Sequence, residues 1–168
     1  MSAPFFQRVM VAYAGDPLDA ALLLSVRALT RTMCPSQVHV VNVSEDETQT
    51  VSPGIRLELM DKAVRAALIE VPGPIVTCAV VHGPILDALL SYTTEQRIDL
   101  AIVGHRPAGR PRSLARRLAR RATCAVWMLP LGTLPVTSRI LVPTDFSETA
   151  GRALDAALAL CRAQHLHE

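Results

Sequence analysis

Gly104-His105-Arg106-Pro107-Ala108-Gly109-Arg110-Pro111-Arg112-Ser113 brings together the groups an anion needs. Glycines let backbone N–H groups approach closely, Arg106, Arg110 and Arg112 add positive charge, and Ser113 stands where a hydroxyl opens a helix. A second candidate is Pro143-Thr144-Asp145-Phe146-Ser147, where Asp145 follows a short apolar run and is placed to accept a hydrogen bond from a ribose or adenine donor. A third turn, Ala14-Gly15-Asp16-Pro17, carries a carboxylate that reads most simply as a helix cap before a first-turn proline. No catalytic residue is assigned. His82 and His105 fall at strand ends, but no Ser or Cys is placed to be activated by either and no G-x-S-x-G elbow is present. Cys34, Cys78, Cys124 and Cys161 are scattered without zinc spacing, so they read as buried reduced thiols and no metal site is expected.

The charge distribution separates these candidates further. Net charge is only +2, yet residues 100–144 hold eight Arg and no acid. This makes a positive patch of the third quarter of the chain. Arg116, Arg117, Arg120 and Arg121 lie on one side of a helix opened by Ser113, but aromatic residues are only 4% of the chain and none interleaves with them. A solvated, ion-paired helix face therefore outweighs nucleic-acid binding. Half of the residues are apolar, enough for a core, while Arg, Asp, Pro or Gly interrupts every apolar run short of the ~18–20 residues a membrane helix needs. With no apolar stretch behind a basic cluster at the start, the expected compartment is the cytoplasm and no membrane contact is expected.

Five short apolar runs carry the candidate loops: 8–14, 38–43, 75–81, 100–103 and 123–129. Between them lie four helical patterns. The first has Leu22, Val26, Leu29 and Met33 inward, and the second, opened by Ser52-Pro53, has Leu57, Met60, Val64, Ala67 and Leu68. A third follows Gly83-Pro84 with Ile85, Leu86, Leu89 and Leu90, and a fourth has Leu114, Leu118 and Ala122. Alternation of this kind implies an α/β fold: an open five-stranded parallel sheet with helices on both faces. Residues 1–130 form that domain, 131–138 a linker, and 139–168 an incomplete second start, with a strand at 139–142 and a helix capped by Ser147 whose inner stripe is Ala150, Leu154, Ala157, Leu158 and Cys161. RILVPTDFSETAGRALDAALAL at 139–160 repeats the pattern of RVMVAYAGDPLDAALLLSVRAL at 8–29.

RILVPTDFSETAGRALDAAL at 139–158 resembles the opening β-α unit of the universal stress protein family, and residues 8–130 resemble one whole domain of it. The resemblance rests also on VHGP at 81–84, DLAIVGHR at 99–106 and RRATCAVWMLP at 120–130. It implies an adenine nucleotide alpha hydrolase-like fold in a tandem arrangement. The family's nucleotide binders resemble one another in an Asp at the end of the first strand and a G-x2-G-x9-G-(S/T) motif after the fourth. Here Ala14 takes the Asp position, Gly104 matches the first glycine, Pro107 stands at the second, Arg112 at the third and Ser113 at the hydroxyl, with a spacer five residues shorter. Pro107 lacks an N–H, and Arg112 adds a side chain where backbone must approach a phosphate.

Val43, Gly104 and Ser113 remain for a nucleotide in the first domain, and Pro143 and Asp145 fit the adenosine end in the second unit. The resemblance thus implies a non-catalytic stress or signalling module with weak or lost binding of ATP or AMP. The alternatives are an ATP-binding protein with slow ATPase activity and an anion or nucleic-acid binder using the Arg-rich helix. Family members that dimerise pair their last strand across a two-fold axis, which points to a homodimer through Ala125, Val126, Trp127, Met128 and Leu129.

Overall fold

The computed structural model describes residues 5–45, 51–68, 73–105, 113–130 and 139–165. Five strands and five helices follow in order: β1 (Arg8–Ala12), α1 (Asp19–Met33), β2 (Gln37–Ser44), α2 (Pro53–Leu68), β3 (Ile75–His82), α3 (Ile85–Glu95), β4 (Leu100–His105), α4 (Leu114–Arg121), β5 (Ala125–Pro130) and α5 (Glu148–His165). All strand pairs are parallel and the sheet order is β3-β2-β1-β4-β5. The expected sheet is therefore present. Right-handed crossovers explain the layering. The chain steps outward from β1 to β3 with α1 and α2 on one face, returns through α3 to β4, and steps out to β5 with α4 on the opposite face.

Two apolar layers result. Val9 and Val11 of β1 point into one with Leu22, Leu23, Val26 and Leu29 of α1 and Met60 and Val64 of α2. Met10 points into the other with Leu86 and Leu89 of α3 and Ala115 and Leu118 of α4. This is the two-residue alternation of a strand buried on both sides. Each fully buried Leu, Val or Met stabilises the fold by roughly 1.5–3 kcal/mol. Asp99, just before β4, fixes the entry to β1: its Oδ2 accepts from the Gln7 N–H at 2.8 Å and the Arg8 N–H at 3.1 Å.

Several local expectations change. Asp16 does not cap α1; its Oδ1 accepts from the Leu18 N–H at 2.7 Å in a tight turn, and Leu18 stands at the cap position. Leu57 is exposed, because the first turns of α2 pack less closely than Met60, Val64 and Leu68 further along. Cys34 is exposed and the other three thiols are half-buried, so none of the four is sealed in the core. Ser113 does cap α4, accepting from the Arg116 N–H at 3.4 Å, and Ser147 caps α5, accepting from the Ala150 N–H at 3.2 Å.

The second start takes a form that the stripe on its helix does not foretell. Residues 139–145 make no ladder, since a strand requires a neighbour to pair with. α5 lies instead on α1, with Ala157 buried and Ala156 and Leu160 against the α1 and α2 layer. Leu154 and Leu158, expected inward, are 48% and 45% exposed, because a helix seated on another helix buries a narrower stripe than one lying across a sheet.

Candidate functional site

The strand order reverses between β1 and β4, and at their carboxyl ends, beside the end of β2, a cleft of about 730 Å³ opens. This is where an open parallel sheet leaves a crevice, because neighbouring crossovers depart to opposite faces. Ala12, Tyr13 and Ala14 line it from β1, Val41, Asn42 and Val43 from β2, and Val103, Gly104 and His105 from β4. Three helices close it: α1 through Asp19 and Leu22, α3 through Ile85 and Leu89, and α4 through Leu114 and Ala115, with its cap Ser113. The walls are mainly apolar with a few polar groups, the usual character of a small-molecule site.

Val43, Gly104 and Ser113 thus share one cleft, and His105 joins them. Arg106, Arg110 and Arg112, like Pro107, lie outside the described residues. Pro143 and Asp145 are elsewhere on the surface, both exposed. Asp145 Oδ1 accepts from the Ser147 N–H at 2.9 Å, and hydrogen bonding from Ser147 holds its carboxyl below the ordinary range. Ala125 to Leu129 lie in β5 at the sheet edge, with Trp127 half-buried because its ring packs against the α1 and α2 layer.

Two groups that sequence reasoning passes over occupy the β1 side. Ala14 contributes no carboxylate, but Asp19, 5% exposed, does. Its Oδ2 accepts from the Gly15 N–H at 2.5 Å and the Asp16 N–H at 2.9 Å. Gly15 permits this by adopting φ +85°, a backbone region that side chains disfavour. Burial raises the Asp19 pKa above the ordinary carboxylate value, although the loop amides pull it back. The adjacent Tyr13 phenol is raised too, first by burial and then by the Asp19 and Asp16 carboxylates.

Asn42 is the second, 3% exposed. It donates from Nδ2 to the Tyr13 carbonyl at 2.9 Å, and its Oδ1 accepts from Arg56 Nη1 at 3.3 Å. An amide inside the β-branched run VHVVNV was the available signal, because a polar side chain in a doubly covered strand must find partners. Asp19 gave no such signal, since an acid in the first turn of a helix is ordinary.

At the other two helix starts the amides are also engaged. Glu45 Oε1 accepts from the Ile85 N–H at 3.3 Å at the start of α3, while the start of α4 is capped by the neutral Ser113 hydroxyl. Among the described residues no group of three or more His, Cys, Asp or Glu is placed to hold a metal, and no helix is long and apolar enough to cross a membrane.

No curated protein matches the chain. Solved structures do. A universal stress protein in complex with cAMP is 18% identical with a TM-score of 0.60, over 78% of this chain and 100% of that one. A universal stress protein from Archaeoglobus fulgidus is 23% identical with a TM-score of 0.58, over 76% of this chain and 45% of that one. Another from the same organism, in complex with dAMP, is 16% identical with a TM-score of 0.56, over 74% and 98% of the two chains. At such identities the likeness shows the fold. The profile of the universal stress protein family matches residues 5–130, from the strand that Asp99 anchors to the end of β5, and by that match the chain belongs to the universal stress protein family.

Proposed function

We propose that this chain is a non-catalytic stress or signalling module whose cleft takes an adenine nucleotide weakly. The observation that carries this reading is the convergence of Val43, Gly104 and Ser113 on one cleft at the strand-order reversal. Structures of similar folds in complex with cAMP and dAMP support the ligand class. Weakness follows from what the cleft lacks: Ala14 has no acceptor to offer an adenine, and Pro107 and Arg112 replace glycine at the positions that would cradle phosphates. Titration of the purified protein with ATP and AMP is expected to give affinities at least tenfold below those of relatives with an intact motif. Tight ATP binding that survives Asp145→Ala would overturn the reading.

The chain acts as a homodimer through the outer edge of β5. That strand has β4 on one side only, and Met128 is 40% exposed. Residues 139–165 repeat, in sequence, the opening strand-turn-helix pattern of the first domain. A detail of the turns supports this: Gly15 and Phe146 hold equivalent places in the repeat, and both have positive φ, +85° and +63°. The Arg-rich helix is a solvated face, a reading supported by Arg121, whose Nη1 lies 3.3 Å from Asp87 Oδ1.

A further inference from the structure

We infer that the C-terminal repeat is an interaction surface for a second copy of this chain: residues 139–143 of two copies pair antiparallel, and the free side of each α5 covers the ribbon they make. This contact is independent of the cleft and of the free edge of β5.

Residues 139–160 repeat the pattern of 8–29, so each position has a counterpart in the first domain. Leu141 stands where Met10 stands in β1. Met10 is 0% exposed, between β2 and β4, whereas Leu141 is 92% exposed in a segment that makes no ladder. Leu154 stands where Leu23 is buried in α1, yet it is exposed, and Leu158 lies one turn further along the same side. Phe146, in the turn before α5, is 94% exposed. The repeat thus shows to water what its counterpart encloses. α5 meets the first domain through Ala156 and Leu160, which leaves the Leu154 and Leu158 side open.

The exposed parts of Ile140, Leu141, Phe146, Leu154 and Leu158 amount to on the order of 600 Å² of apolar surface, at the upper end of the largest patch on a typical monomer. Two copies brought together there would bury at most about 1,200 Å², the low end for a specific interface. The strand is suited to its own copy as well. A two-fold axis through an antiparallel pair sets Leu141 of one copy opposite Leu141 of the other, Ile140 opposite Val142 and Arg139 opposite Pro143. The two Arg139 charges then fall at opposite ends of the ribbon, and Pro143, without an N–H, stops the ladder there. Parallel pairing in register would set Arg139 against Arg139. A two-stranded ribbon is marginal by itself and needs a helix to cover it, a cover that Leu154 and Leu158 of the two α5 helices supply.

The test is sedimentation velocity of the full chain from about 5 µM to about 500 µM, the range in which a contact of this size forms. The native mass should double toward the upper end, and Val126→Pro, monomeric at the dilute end, should double its own mass over the same range. Leu141→Asp alters a side chain that the fold does not bury, and it sets two carboxylates face to face, so it should weaken this association at least about tenfold. Leu141→Lys should do the same, and an equimolar mixture of the two variants should restore association, because opposite charges then meet. Hydrogen exchange at the Ile140, Leu141 and Val142 amides should slow as native concentration rises. A native mass that does not double, a Leu141→Asp chain that associates as the native one does, or a mixture no better than its components would overturn the inference. Protection that grows along Ile75 to His82 instead would give the contact to β3 and overturn it equally. A native chain that is monomeric at the dilute end and doubles only at the upper end, with the Leu141 effects present, would remove the β5 reading and leave this contact standing.

Discussion

His39 is 8% exposed in β2 beneath α3, with Nδ1 3.0 Å from the Tyr92 hydroxyl and 3.2 Å from the Thr77 hydroxyl, and Nε2 3.3 Å from Gln37 Oε1. Burial, and then the positive charge of Arg8, lower its pKa below the usual histidine value. The folded chain therefore favours the neutral ring. Neutral imidazole carries a stabilising contribution that is complete above the unfolded pKa, about 6.5, and is lost as pH falls toward the folded value. Thermal melts are accordingly expected to show stability declining below about pH 6.5, with a shallower decline in His39→Gln. An identical pH slope in the two proteins would place the loss elsewhere. His39→Ala should cost about 1–3 kcal/mol, since the Tyr92 and Thr77 hydroxyls lose their shared partner.

At the scale of elements, the start of β1 depends on one carboxylate distant in sequence. Asp99→Ala leaves the Gln7 and Arg8 amides without the acceptor they now share and is expected to destabilise the fold by about 1–3 kcal/mol in denaturant titrations. Asp99→Asn, which keeps one acceptor oxygen, should lose less. The strands and the first four helices were legible because periodicity reports burial directly: Leu22, Val26, Leu29 and Met33 share one side of α1 and are all buried. Periodicity does not say what covers a stripe. For α5 the covering element is α1, so Ala157 and Leu160 point inward and Leu154 does not. The cleft was legible where glycine and a hydroxyl mark the backbone, at Gly104 and Ser113, and illegible at Asp19. There the deciding fact is the positive-φ turn at Gly15, which folds the loop amides back onto a helical side chain.

Two predictions belong to the whole molecule. If β5 joins two copies, Val126→Pro removes a ladder donor from the edge strand and should convert a dimer to a monomer by light scattering. A variant that stayed dimeric would assign the contact to another surface. Deleting residues 139–168 removes the cover that Ala156 and Leu160 give to the α1 and α2 layer and should lower the melting temperature by roughly 5–10 °C. An unchanged melt would mean that α5 contributes nothing to stability. The sheet order also bears on how the chain is made. β1 leaves the ribosome before β4, one of its two neighbours in the sheet, and the Arg8 amide waits for an acceptor 91 residues downstream. At translation rates of about 5–20 residues per second, that wait lasts roughly 5–20 s, against microseconds for local pairing. The nascent chain therefore carries β1 with one bare edge throughout synthesis of α1 to α3, so chaperone capture should be strongest for nascent chains arrested before β4 emerges and should fall once it does.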